Sequence, residues 1–225
     1  MAARDFPTRL SRRAGRAGVF IPDELAEQLV EYYELLVRWN RKINLTSLEN
    51  PDQAIDRLLL EPLIAARYLP SPWSKVMDIG SGGGSPAIPL KLATPGIKLM
   101  MVEVKARKSA FLREACRQLR LDHTRVENAR FEELLARPEL HEAHDVVGLR
   151  AVRVESRVLT SLQAFLKPGG TLMLFRGPGG PEAPAFVPPL EFAATYPLIE
   201  SLRSRLTLLT KRVVGVPPQA SPQFG

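Results

Sequence analysis

Four glycines within five positions (Gly80, Gly82, Gly83 and Gly84) follow a short apolar run of Val76, Met77 and Ile79, and they constrain this chain more than any other feature. A run that short, halted by glycine, reads as a buried strand entering a sharp turn. Glycine has no Cβ, so such a turn lets a ligand lie directly against the backbone. A second apolar run, Ile97 to Val102, ends at Glu103, 23 positions after Gly80. A carboxylate about 20 residues beyond a glycine-rich turn is placed to accept both hydroxyls of a ribose. Together they imply a nucleoside-containing cofactor on the first βαβ unit of an α/β sheet. A tight turn that binds nothing is the plain alternative, but such turns rarely need four glycines.

The spacing Gly80-x-Gly82-x-Gly84, with Ser85 in the sixth place, departs from the G-x-G-x-x-G of dinucleotide sites. With Asp78 ahead of the first glycine, it resembles motif I of S-adenosylmethionine-dependent methyltransferases. That cofactor carries no phosphate, and its amino-acid end bears an ammonium that Asp78 would attract, directly or through water. Two rivals stay open: an NAD-dependent oxidoreductase, which shares the βαβ unit, and a non-catalytic RNA-binding module.

The 225 residues suffice for one α/β domain with an extension. Apolar content of 45% and charged content of 24% are those of a globular protein. No apolar run approaches the ~20 residues that span a bilayer, and the arginine-rich start lacks a secretory segment. The single cysteine, Cys116, excludes an intramolecular disulfide, so the expected setting is the cytoplasm. The charge of +7 is uneven: five arginines against one aspartate in residues 1–20, and eight basic residues against three acids in residues 105–130. Such clusters suit a polyanion, as phosphate contacts dominate nucleic-acid affinity; the plainer reading is solvated helix faces.

Along the chain, residues 1–20 read as a basic flexible arm, 21–70 as a helical extension and 71–225 as the catalytic domain. Pro22-Asp23-Glu24 opens a helix whose stripe runs Leu25, Leu29, Tyr32, Leu36, Trp39 and Ile43. Asn50 caps a second helix from Pro51, which Pro62 should kink. Strands are expected near 75–79, 97–103, 124–127, 144–149 and 170–175, with helices near 86–94, 105–120, 130–137 and 154–166. This alternation implies a parallel sheet with helices on both faces. Lys167-Pro168-Gly169-Gly170 reads as a turn, residues 177–189 as a proline-rich loop, and Phe192–Tyr196 and Arg203–Thr210 as an antiparallel pair of edge strands.

A wider resemblance rests on Tyr33-Glu34-Leu35-Leu36, Trp39-Asn40 and Ile43-Asn44-Leu45-Thr46. Motif I with Pro86 and Ile88-Pro89-Leu90 adds to it, as do Lys108 with Phe111-Leu112, Arg130-Phe131-Glu132-Glu133 and Arg150-Ala151, and Leu166 to Gly170. From Ala26 to Gly177 the chain resembles the GidB/RsmG family, bacterial small-subunit ribosomal RNA methyltransferases that modify guanine at N7. The resemblance implies a class I (Rossmann-like) methyltransferase sheet with an N-terminal helical extension. It also implies S-adenosyl-L-methionine as cofactor, and 16S ribosomal RNA or a small-subunit precursor as partner. Carried over by position, the cofactor contacts are Gly80, Ser85, Glu103, Val104, Lys105, Phe131, Glu132 and Arg150; Asp78 and Gly82 join them from motif I. Arg150, expected at the end of the fourth strand, suits the cofactor carboxylate or a target phosphate.

The chain departs from the family pattern in three places. Leu58 and Glu61-Pro62-Leu63 stand in place of the usual His and Asp-Ser-Leu, Ala87 replaces a glycine after Pro86, and the proline-rich segment after Gly177 matches poorly; Arg176 also stands where lysine is more usual. No catalytic side chain is nominated, because guanine N7 already presents a lone pair and its methylation leaves no proton to remove. His141-x-x-His144 lacks the cysteine or carboxylate partners of a zinc site, so no metal is expected. Cys116, between Arg113 and Arg117, sits where a thiol pKa could fall, yet an inert thiol is the reading adopted. Trp39 is assigned to core packing, and a monomer is the default.

Overall fold

In a computed structural model of the chain, residues 5–46, 50–150, 155–179 and 187–213 are described. Seven strands form one sheet in the order β3-β2-β1-β4-β5-β7-β6. They are β1 Lys75–Ile79, β2 Lys98–Val102, β3 Thr124–Glu127, β4 His144–Arg150, β5 Leu166–Arg176, β6 Leu190–Pro197 and β7 Arg205–Lys211. The first five are parallel, and β7 runs antiparallel between β5 and β6. Only β6 of the late pair is therefore an edge strand. The chain order reverses between β1 and β4, the switch point where open α/β sheets leave a crevice beyond the carboxyl ends of the strands.

Successive side chains of a strand face opposite ways, and the sheet is apolar on both sides. Val76, Leu99, Met101, Val146 and Met173 join one buried cluster. Met77, Met100, Val147, Leu172 and Leu174 join another. The first face is covered by α1 Phe6–Arg16, α2 Asp23–Asn40, α3 Pro51–Ile55, α4 Glu61–Ala65, α5 Ala87–Ala93 and α6 Ala106–Gln118; the second by α7 Phe131–Leu134 and α8 Ser156–Leu162. The stripe on α2 is confirmed, with Leu29, Tyr32 and Leu36 buried. Trp39 packs edge-on against Phe111, ring centroids 5.9 Å apart.

Four expectations are corrected. Residues 6–16 of the supposed flexible arm form α1, which buries Phe6, Leu10 and Ala14 at fourfold spacing and stacks Phe6 on Tyr33. Its arginines are not merely solvated: Arg13 clasps Asp56 with two N–H groups, and Arg9 reaches Asp52 at 3.2 Å. Pro62 does not simply kink the second helix. Asn50 caps that helix by accepting from the N–H groups of Asp52 and Gln53, but Asp56–Leu60 then widens into a π turn before α4. Finally, β5 begins at Leu166 and absorbs the Lys167–Gly170 turn, with an irregular register against β4 between His144 and Val146. Within the proline-rich loop, residues 180–186 lie outside the described residues.

Candidate functional site

The turn after β1 closes on backbone bonds. Gly80 and Ser81 donate to the Val102 carbonyl at 2.8 and 3.1 Å, and Gly84 donates to Ser81 at 2.6 Å. Gly80 takes φ +72°, a left-handed conformation that favours glycine, and a Cβ there would meet nothing within 4 Å. The space above this backbone is thus open. Tyr32 braces the turn from α2, its hydroxyl donating to the Gly83 carbonyl at 2.6 Å. Burial holds the Tyr32 phenol well above its ordinary pKa. The stripe pattern marked Tyr32 only as apolar; a buried tyrosine hydroxyl needs an acceptor, and that requirement was the available signal.

Beside the turn lies a cavity of about 460 Å³ whose walls include Gly80, Gly82, Ser85 and Arg150, together with Arg57 and Lys108. Four of the expected cofactor residues thus share one cavity. Asp78, Glu103, Val104, Lys105, Phe131 and Glu132 do not line it. Glu103, at the end of β2, is 6% exposed. Its carboxylate accepts from Gly82 N–H at 2.9 Å and Lys105 N–H at 2.8 Å, fastening the glycine turn to the start of α6. Each oxygen keeps further acceptor capacity. Val104 beside it is an apolar side chain 52% exposed, a flat face at the strand edge. Asn128, which the sequence reading passed over, donates to the carbonyls of Glu103 and Val104 and so holds this edge. Phe131 and Glu132 open α7; Phe131 packs against the second core and Glu132 is exposed.

Asp78 is the anomaly of the site. It is 2% exposed, and neither carboxylate oxygen has a hydrogen-bond partner among the described residues. Burial pushes its pKa up to about 7; the neighbouring Ser81 side chain, whose hydroxyl is directed at the Asp78 carbonyl at 3.1 Å, and Arg150 oppose that rise, and Glu103 adds to it. Arg150 ends β4. Its guanidinium donates to the buried Glu61 carboxylate and, at 3.1 Å, to the Arg57 carbonyl, and it lies 5.0 Å over the Phe175 ring. Its Nε is buried and unpartnered. An unbonded buried donor or acceptor costs about 1–3 kcal/mol, so orphans of both kinds on the neighbouring strands β1 and β4 mark a place that a ligand could complete.

Pro62 explains how α4 and the π turn serve this site. Proline lacks N–H, so the Leu58 carbonyl, four residues back, loses its helical donor and accepts from Ser85 Oγ at 2.9 Å instead. In the widened turn the donor for Arg57 also falls on Pro62, and that carbonyl takes the Arg150 N–H. The departure at Glu61-Pro62 therefore holds both the glycine turn and Arg150. A second cavity of about 590 Å³ begins on the far side of Arg57 and Arg150, bounded by Phe175, Ser201 and Arg203.

Cys116 fits the inert reading: burial raises its thiol to about 11 despite the neighbouring arginines. That thiol is unreactive near neutrality.

The comparisons agree with this geometry. A family model described as rRNA small subunit methyltransferase G (GidB) matches residues 25–181. Ribosomal RNA small subunit methyltransferase G of Syntrophotalea carbinolica is 32% identical over 172 residues, 76% of this chain and 78% of that protein. The protein of the same name from Xanthomonas axonopodis pv. citri is 36% identical over 152 residues, 68% and 69% of the two chains. Among solved structures, a SAM dependent methyltransferase from Aquifex aeolicus superposes with TM-score 0.56 at 13% identity, covering 79% of this chain and 98% of that one. That last likeness concerns the fold, a methyltransferase sheet with helices on both faces. With the matched span running from α2 through the glycine turn to the end of β5, the chain belongs to the GidB family of small-subunit ribosomal RNA methyltransferases.

Proposed function

We propose that the chain transfers a methyl group from S-adenosyl-L-methionine to N7 of a guanine in 16S ribosomal RNA. The observation that carries this reading is the unpartnered, buried Asp78 carboxylate at the open glycine turn. An amino-acid ammonium satisfies it, and a carboxylate on the same ligand meets the guanidinium of Arg150. Gly80, Gly82 and Ser85 leave room at the backbone, Glu103 accepts from ribose hydroxyls, and Val104, Lys105, Phe131 and Glu132 border the adenine side. When bound, the cofactor supplies a methyl group on a positively charged sulfur.

This chain's contribution is then orientation. Guanine N7 attacks with its own lone pair and sheds no proton, so the site needs no general base. Holding two reactants in line is worth up to about 7–11 kcal/mol of barrier. Lys108, whose Nζ lies 3.4 Å from the Leu45 carbonyl at the cavity wall, and Arg57 supply positive charge where an RNA backbone would approach.

Equilibrium binding of S-adenosylmethionine against NAD separates this reading from an oxidoreductase and from a plain RNA-binding module. Micromolar affinity for the sulfonium cofactor alone is expected. Glu103→Ala should weaken it about 10- to 100-fold, the loss of hydrogen bonds to a charged group, with an unchanged far-ultraviolet circular dichroism spectrum. Wild-type affinity in that variant would remove Glu103 from the site.

A further inference from the structure

Lys75 and Lys98 open β1 and β2 and are register partners in that parallel pair. Like charges so placed destabilise a sheet. Arg125, register partner of Met100, brings a third cation to the same face one strand further out. Between them lies a crevice of about 550 Å³, with Leu140, Glu139 and His144 among its walls. It sits at the amino ends of the strands, the pole opposite the glycine turn.

Among the described residues these cations are only partly offset: the Asp145 carboxylate acts on Lys75 through space but is ion-paired to Lys167. Neither lysine ammonium has a hydrogen bond or ion pair there. The Arg125 guanidinium donates to the Met100 thioether at 3.0 Å, a weak acceptor. The one carboxylate lining the crevice is Glu139. Nearby Asp145 is committed, accepting from Lys167 at 2.6 Å and from the Lys75 backbone N–H at 2.7 Å. His144 is 5% exposed, and its pKa is pushed down to about 4 chiefly by burial; Arg125 and Lys75 add to the fall, while the Phe165 carbonyl and Asp145 oppose it. Its Nδ1 lies 3.3 Å from the Phe165 carbonyl. His123, also on the wall, holds φ +53°, a strained conformation for a side-chain-bearing residue.

We propose that this crevice holds a backbone phosphate of the RNA substrate. The inference rests on the ribosomal RNA reading above and adds to it a contact remote from methyl transfer. Three cations against one carboxylate in the lining favour an anion, and the volume falls within the range of ligand pockets. The sheet separates the two sites: β1 alone runs five residues, about 13 Å at ~3.3 Å per step. An oligonucleotide limited to the target guanine and its immediate neighbours does not cover that distance around the sheet, whereas folded ribosomal RNA does. The crevice therefore strengthens binding of the large substrate and leaves a short one unaffected.

The test uses the full-length double variant K75Q/K98Q. Binding of 16S ribosomal RNA and of a short oligonucleotide carrying the target guanine is followed across a salt series. Thermal melting and S-adenosylmethionine calorimetry report on folding. Ribosomal RNA affinity should fall about tenfold, and its log–log salt slope should flatten by about 0.7–0.9, one phosphate contact's worth. Affinities for the oligonucleotide and the cofactor should not change. Unaltered ribosomal RNA affinity and slope in a variant that binds cofactor normally would overturn the crevice and leave the proposed function standing. Absence of ribosomal RNA binding by the wild type would overturn both. If the variant loses inorganic phosphate binding but keeps wild-type RNA affinity, the crevice serves a free anion and the RNA contact is wrong.

Discussion

Asp56 in the N-terminal helical layer and Asp78 under the glycine turn are equally buried, each 2% exposed, yet their surroundings are opposite. Asp56 receives two N–H groups of Arg13 from α1 and the hydroxyl of Ser201 at 3.3 Å. Neither Asp78 oxygen meets a hydrogen-bond donor at bonding geometry among the described residues. A buried charge that is fully paired fastens one layer to another. One left unpaired is a standing cost, tolerated where a ligand removes it. In this fold the helical layer supplies the fastening and the strand end keeps the vacancy.

The largest test of that contrast is on the paired side. Arg13→Ala would strand the Asp56 carboxylate, and urea unfolding should show a loss of about 3–5 kcal/mol. A loss below 1 kcal/mol would mean that α1 is not held through Asp56. Next comes the unpaired side. Burial raises the Asp78 carboxyl from 3.8 to about 7 in the folded state. Its contribution is then most favourable below about pH 4 and is lost as pH climbs through 7. Asp78→Asn should therefore be more stable than the parent at pH 8, by up to about 4 kcal/mol, with the advantage vanishing toward pH 4. The same variant should bind S-adenosylmethionine more weakly. Equal stability at pH 8 would show that the carboxylate has a partner in solution. The smallest effect belongs to the bridge between the two regions, the ion pair of Glu61 with Arg150. Glu61→Gln keeps an acceptor and should cost about 1–2 kcal/mol, with a few-fold weaker cofactor affinity by calorimetry. A wild-type cofactor affinity would detach Glu61 from the site.

The strand edge was legible in the sequence because its constraints are local. Strands over residues 75–79 and 124–127 begin and end where apolar runs and punctuation place them. The glycine spacing with Glu103 marked the turn and its carboxylate. The helical layer was less legible because its decisive contacts are remote. Arg13 and Asp56 lie 43 residues apart, and nothing near Arg13 separates a paired arginine from a solvated one. Asn128 acts through its amide on carbonyls 24 and 25 residues away, with no motif to announce it. Pro168 and Gly169-Gly170 misled for a different reason: they read as a turn, yet the pairing with β4 and its shifted register carries them into the strand.

The proline at position 62 has a reach beyond its own helix. A single missing hydrogen there leaves the Arg57 and Leu58 carbonyls facing outward, where side chains from the end of β4 and from the glycine turn plug into them. The helical layer and the sheet are thereby docked through main-chain oxygen rather than through side-chain shape alone. Any residue that restores the hydrogen would compete for those two acceptors, so substitution at this position should be read as a change in how the mouth of the crevice is hung, more than as a gain in helicity.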